Sequence, residues 1–244
     1  ERTLIGGDEQ AGIYAQGFRI FEALSNFVLL FPVILLPMFS SNLKKGENIQ
    51  PLISVSTSMI LIPVLITSVF CFFYSSEIMN LLYHSDKSGN VFKIIILGLP
   101  GITLTYIFGT LLTANGNFKQ LNTMAFGALI LNLSINLILI PRLKAQGSAF
   151  ASFLTQFLTG CFQLLLAIKI LKLNDIYKLI LKILLWVVLL FAFTFVIYTL
   201  KYNITLGFVL CLLIGLILSI LLRIINIKEI VKSFIPFFNI KKSF

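Results

Sequence analysis

An all-α fold, a polytopic membrane bundle of about seven transmembrane helices, is what this sequence predicts. Three observations lead there. Hydrophobic residues make up 58% of the 244 and charged residues only 11%, a balance that would leave a water-soluble chain without polar surface to show its solvent. The apolar residues are gathered into stretches long enough to cross a hydrocarbon core of about 30 Å, which takes about 20 residues as a helix. Only short loops separate these stretches, which run over 11–39, 52–74, 91–114, 121–140, 148–171, 177–200 and 204–224.

The first stretch carries the most chemistry. Gly12, Gln16, Arg19, Glu22 and Asn26 recur three or four residues apart, which at about 100° per residue confines them to roughly a third of a helix circumference. An Arg or Asp at the centre of a membrane costs about 2.5–3.5 kcal/mol on insertion scales. The apolar residues from Phe27 to Phe39 offset that cost, so the helix can insert but cannot turn this stripe toward lipid. Two readings follow: an intrahelical Arg19–Glu22 pair that fixes packing, or a hydrophilic cavity wall that meets a polar substrate. Pro32 and Pro37 then remove hydrogen bonds from the same helix, which reads either as a kink or hinge or as shaping of the cytoplasmic end.

The second stretch, 52–74, leads into a polar connection over 75–90, where the apolar run 78–83 reads as a small interfacial helix. The third, 91–114, is bent early by Gly98, Pro100 and Gly101, and Asn115-Gly116-Asn117 closes it with a tight turn. In the fourth, Asn132 and Asn136 share a face and suit hydrogen bonds to a neighbouring helix, with substrate contact as the second reading; the segment is expected to stop at Pro141. Gly147, Ser148 and Ala149 open the fifth with small residues suited to close helix approach, and Thr155, Gln156, Thr159 and Gln163 form a second polar stripe. The sixth and seventh stretches are apolar around most of their circumference, read as peripheral, and are assigned no part of a substrate path. Residues 225–244 repeat Ile227, Ile230, Val231 and Phe234 opposite Lys228, Glu229 and Lys232, the pattern of an amphipathic tail in a membrane interface.

The net charge of +10 does not signal nucleic acid, because the basic residues lie between apolar segments and set orientation instead. One side holds Arg2, Lys87, Lys93, Arg142, Lys144 and Lys201; the other holds Lys44, Lys45, Lys119, Lys169, Lys172, Lys178, Lys182, Arg223, Lys228, Lys232, Lys241 and Lys242. That two-to-one bias places the tail in the cytoplasm and Glu1 outside. With Glu1 first, no initiator Met and no basic leader, the chain reads as a piece of a longer protein.

Cys71, Cys161 and Cys211 fall within spans at no metal-binding or disulfide spacing, and His84 is the only histidine. No catalytic residue, metal or cofactor is assigned. The loop acids Glu47, Glu77, Asp86 and Asp175 stand singly, Glu1, Asp8 and Glu9 group at the outer end, and no DxD-like pair, HExxH or glycine-rich phosphate motif occurs, which weighs against a membrane-embedded enzyme of lipid-linked sugar metabolism.

Several short motifs share an order with a known family. They are Gly6-Gly7-Asp8-Glu9-Gln10-Ala11-Gly12-Ile13-Tyr14-Ala15, Leu35-Leu36-Pro37-Met38-Phe39-Ser40, Leu112-Thr113-Ala114-Asn115-Gly116-Asn117-Phe118-Lys119, Asn132 to Pro141, and Gln146-Gly147-Ser148-Ala149-Phe150-Ala151-Ser152. From about Gly6 to Leu171 the chain resembles the C-terminal half of the polysaccharide flippases of the MOP superfamily, which also holds MATE drug exporters and the peptidoglycan-precursor flippase. The resemblance implies a MATE-like C-terminal lobe over 1–171, two additional peripheral helices over 172–224 and a cytoplasmic tail over 225–244. It implies a partner too, the N-terminal half of the same fourteen-helix transporter.

The implied function is movement of an undecaprenyl-linked oligosaccharide across the bacterial inner membrane by alternating access, with a multi-pass protein in the lipid bilayer and no nucleic-acid partner. The substrate pathway would be lined by Arg19, Glu22, Gln16, Asn26, Asn132, Asn136 and Gln156. The alternative within the superfamily, an exporter of drugs or small cations, would favour acids in the cavity, and Glu22 alone qualifies, beside Arg19.

Overall fold

Prolines decide how the first span folds. In the computed structural model, which describes residues 6–173 and 176–224, the expected single helix is two, α1 (Gly7–Val28) and α2 (Leu30–Lys45), joined at Leu29. Pro32 has no N–H to give the Val28 carbonyl four residues back, so the ladder is interrupted there. The Leu29 N–H still reaches the Ser25 carbonyl at 2.9 Å, so the two pieces continue as one span. That span, Gly7–Lys45, is longer than the sequence reading over 11–39, and Lys44 and Lys45 close its last turn, where cations complement the helix dipole. The tail expected over 225–244 lies outside the described residues.

The most enclosed span is α3 (Gln50–Phe73), with 78% of its apolar window buried, against 0% for the fourth span. Past its first residue, its sequence holds no charged residue and only small hydroxyl side chains among its apolar ones, and a helix without a charged face belongs in the middle of a bundle. Pro51 sits in its first turn, where a missing N–H costs nothing. Tyr74 hands α3 over to α4 (Ser75–Tyr83), which contains the short run expected at 78–83 and stops where His84 turns left-handed.

The third span is segmented where the sequence places its bend. It consists of α5 (Gly89–Ile95), α6 (Gly98–Leu104), a π turn (Thr105–Gly109) and α7 (Thr110–Ala114). Pro100 cannot donate to the Ile96 carbonyl, which instead accepts the Leu99 N–H at 3.0 Å. Gly101 is needed because a Cβ there would lie 2.6 Å from the Phe157 Cα.

The fourth and fifth spans, α8 (Phe118–Leu143) and α9 (Ala145–Leu171), form an antiparallel pair. Contrary to the sequence reading, α8 does not stop at Pro141 but runs two residues further. In a last turn the proline forfeits one bond, to the Leu137 carbonyl, and the chain reverses only at Lys144, whose φ of 52° and ψ of −129° no helix tolerates. Gly147 then lets α9 start against α8, since a Cβ there would lie 2.7 Å from the Leu139 carbonyl oxygen.

The last two spans, α10 (Ile176–Thr199) and α11 (Ile204–Leu221), pack on each other and on α3. The sequence reading found α11 nearly featureless, but its buried residues are Gly207, Cys211, Gly215 and Ser219. This is a small residue every fourth position, the pattern that lets membrane helices approach closely. Trp186 of α10 is fully buried and donates its indole N–H to the Gly215 carbonyl at 3.0 Å. Among the described residues, seven helical spans are long and apolar enough to cross a membrane.

Candidate functional site

The side of α1 that packs is not the side that carries polar residues. Gly17, Phe21, Ser25 and Val28 are buried, and they face α5, α6 and α9. Gly17 is there because a Cβ would meet the Phe92 backbone at 3.2 Å. Half a turn away, Gly12, Arg19, Glu22 and Asn26 are all exposed. The stripe read from sequence is therefore one continuous face, turned away from the bundle's own core. Gln16, at the edge of that face, departs from the rest: its Oε1 accepts the Ser88 hydroxyl at 2.8 Å and ties α1 to the loop before α5.

Arg19 and Glu22 do not form an ion pair with each other among the described residues. Because α1 starts at Gly7, four residues before the expected stretch, Arg19 sits about 18 Å along the helix from its first residue at 1.5 Å per residue. That is more than half the thickness of a hydrocarbon core of about 30 Å.

A second polar seam lies where α9 meets α1 and α8. The Tyr14 and Ser152 hydroxyls are 3.0 Å apart and link α1 to α9. On the other flank, Asn132 Nδ2 donates to Thr155 Oγ1 at 3.2 Å, and Asn136 Nδ2 donates back to the Asn132 carbonyl at 2.9 Å and to its Oδ1 at 3.0 Å. Thr159 donates to the Thr155 carbonyl at 2.7 Å. Asn132 thus links α8 to α9, with Asn136 bracing it from the next turn of α8.

Gln156 is placed apart from the exposed face. Its Oε1 is buried without a hydrogen-bond partner, beside Gly98 at the α6–α9 crossing, and Gln163 Oε1 is buried likewise beside Gly109 in the π turn. Tyr14 and Ser152 were not singled out from sequence. The signal for Ser152 was available, since it stands three and four residues before Thr155 and Gln156 and so extends their stripe.

An apolar cavity of about 470 Å³ opens between α3, α6, α9 and α10. Leu61, Leu65, Leu104, Phe157, Leu164 and Ile180 line it. So α10, to which the sequence reading gave no part in a path, forms one wall of this apolar recess. No group of three or more His, Cys, Asp or Glu placed to hold a metal occurs among the described residues.

The geometry is that of a membrane bundle with a charged face held off its own core, and the comparisons say which bundle. A family model described as lipid II flippase MurJ matches residues 11–218. The chain belongs to that family. Comparison with curated proteins gives no match. The flippase is thus a multi-pass membrane protein whose family moves a lipid-linked substrate, in the superfamily the sequence motifs pointed to but at its lipid II branch. The described helices of the flippase contain every span that the match covers.

Proposed function

We propose that this chain is one lobe of a two-lobe flippase that carries a diphosphate-linked saccharide, lipid II by the family's name, from the inner to the outer leaflet of the bacterial inner membrane. The observation that carries the reading is the orientation of α1. Its Arg19, Glu22 and Asn26 face is turned away from α5, α6 and α9, and turning that face to lipid instead would cost about 2.5–3.5 kcal/mol for the arginine alone. A wet interior shared with a partner lobe, the N-terminal half of the same transporter, gives the face an environment it can occupy. Residues 1–171 would form this lobe, with the two helices over 172–224 packed on its far side.

Arg19 suits the substrate's diphosphate, because a guanidinium presents a rigid fork of donors to phosphate oxygens. Gln16, Asn26, Asn132, Asn136 and Gln156 contribute polar groups beside or behind that face. The cavity between α3, α6, α9 and α10 suits the prenyl tail, having hydrocarbon walls on four sides. The breaks at Leu29 and at Ile96–Leu97 supply the bends a rocking lobe uses in alternating access. The orientation follows the lysine bias, with α1 starting outside and the tail inside. An exporter of small cations is disfavoured, because the acid nearest the middle of the face, Glu22, stands a single turn from Arg19.

Liposomes containing the complete transporter and fluorescent lipid II test the reading. Lipid II should move to the opposite leaflet, and a diphosphate-linked O-antigen repeat unit should move more slowly. Faster transfer of the O-antigen carrier would return the protein to the polysaccharide branch that the motifs around Asn115 and Gly147 resemble. Transfer of neither, with efflux of cationic dyes instead, would remove the flippase reading.

A further inference from the structure

At the end of the bundle where α3 passes into α4 and α10 into α11, a cavity of about 750 Å³ is lined by Tyr74, Glu77, Phe195, Tyr198, Lys201 and Tyr202. Its size is within the range of small-ligand sites, and its lining combines aromatic walls with one carboxylate and one ammonium. The Tyr74 and Tyr198 rings meet at 85° with centroids 5.3 Å apart, and Phe73 backs Tyr198 at 5.9 Å. Tyr74 is itself packed away on Phe70 at 4.8 Å, which leaves the exposed Tyr198 ring as the aromatic face on which an organic ammonium can rest.

Tyr74 is not an ordinary interfacial tyrosine. Such residues leave their hydroxyl in the headgroup layer, whereas Tyr74 is 2% exposed and its buried hydroxyl has no hydrogen-bond partner. Gly207 of α11 is what admits the ring, since a Cβ there would collide with the tyrosine hydroxyl. Burial and the Glu77 carboxylate push the Tyr74 phenol above its usual range. Glu77 is exposed and pairs with no base among the described residues. Lys201 stands in the turn between α10 and α11, held there with a left-handed φ of 54°.

We propose that this cavity holds the headgroup of a zwitterionic phospholipid, its ammonium on the Tyr198 ring beside Glu77 and its phosphate at Lys201. The site lies where a bilayer's headgroups meet the helix ends. It is built from α3, α4, α10 and α11 and stands independently of the face on α1. A bound lipid would pin the α10–α11 pair to the rest of the bundle.

Native mass spectrometry of the full chain, released from micelles doped with equal amounts of phosphatidylethanolamine, phosphatidylcholine and phosphatidylglycerol, tests the site. The two ammonium lipids should be retained over phosphatidylglycerol by about fivefold or more, the scale of a solvent-exposed cation–aromatic contact. Glu77→Gln and Tyr198→Ala should each bring the ratio close to one, while Glu47→Gln, an exposed acid in the α2–α3 loop, should leave it unchanged. Because Glu77 is exposed, its substitution keeps the fold, and the emission of the single buried Trp186 verifies this. Equal retention of all three lipids by the wild type, or an unchanged ratio in Glu77→Gln, would overturn the proposal. Glycerophosphoethanolamine, which lacks acyl chains, should fail to displace the lipid at equal concentration; displacement would show that a soluble amine is the ligand and overturn the lipid assignment.

Discussion

Arg19→Ala is expected to slow leaflet transfer of lipid II by about tenfold to a hundredfold, the value of one charge-assisted hydrogen bond of about 1.5–3 kcal/mol. Its thermal stability in detergent should hardly change. The side chain is exposed on α1 and makes no ion pair with Glu22 among the described residues, so nothing in the packed core depends on it. Arg19→Lys should recover part of the rate, since a lysine keeps the charge but loses the fork that matches a diphosphate. Glu22→Gln should leave transfer at or above the wild-type rate, because the carboxylate one turn away opposes an anionic substrate. Transfer assays in liposomes, paired with thermal melts, distinguish this from a packing role. If Arg19 were only a structural residue, Arg19→Ala would lower the midpoint and the rate together, and the lysine would rescue neither selectively.

Gly160→Val is expected to have the largest effect on folding. Gly160 of α9 crosses α6 at Gly101 so closely that an added Cβ would collide with the Gly101 carbonyl oxygen and approach Leu104 Cβ at 3.0 Å. Gly101 in turn admits no Cβ against the Phe157 backbone. Both neighbours are helix backbone and cannot step aside as a side chain would. Forcing extra methyl groups into such a crossing costs about 1–3 kcal/mol where it can relax and more where it cannot. The thermal midpoint should fall sharply, with aggregation on size-exclusion chromatography. Gly127→Val on α8 is the control, since nothing lies within 4 Å of a Cβ there, and it should be close to neutral.

How much of this was legible beforehand depends on which physical signal each feature left. The seven spans were readable because hydropathy over about 20 residues leaves few alternatives. The stripe on α1 was readable because a 3.6-residue period survives without any knowledge of neighbours. Helix ends were less so: Pro141 reads as a stop, yet a last turn tolerates a proline, and α8 continues to Leu143. The early start of α1 at Gly7 was missed because Gly7, Asp8 and Glu9 are polar and carry no hydropathy signal, although two acids in a first turn favour a helix start.

Partners were the least legible. Gln16 and Asn26 look alike in the stripe, but only the structure shows that Gln16 is taken up by Ser88, far away in sequence. The small-residue ladder Gly207, Cys211, Gly215 and Ser219 was present in the sequence and overlooked, because apolar content masked its period of four. Gln156 was assigned to the pathway on type and spacing, and its oxygen instead sits at the crossing with α6 beside Gly98. Side-chain chemistry announces itself in one dimension, whereas which neighbour answers it is set by long-range packing.

Water access to α1 in the complete transporter tests the central claim most directly. With Cys71, Cys161 and Cys211 replaced by alanine, single cysteines at Arg19, Glu22 and Asn26 should react with a charged, membrane-impermeant thiosulfonate, because only a hydrated thiol ionises to the reactive thiolate. A cysteine at Leu133, on the exposed apolar side of α8, should stay unmodified in the same membranes. Excess lipid II should protect the three α1 positions. Reagent-inert cysteines at all three, matching Leu133, would mean that the charged face of α1 meets hydrocarbon or packed side chains, and the account of a wet pathway along it would be wrong.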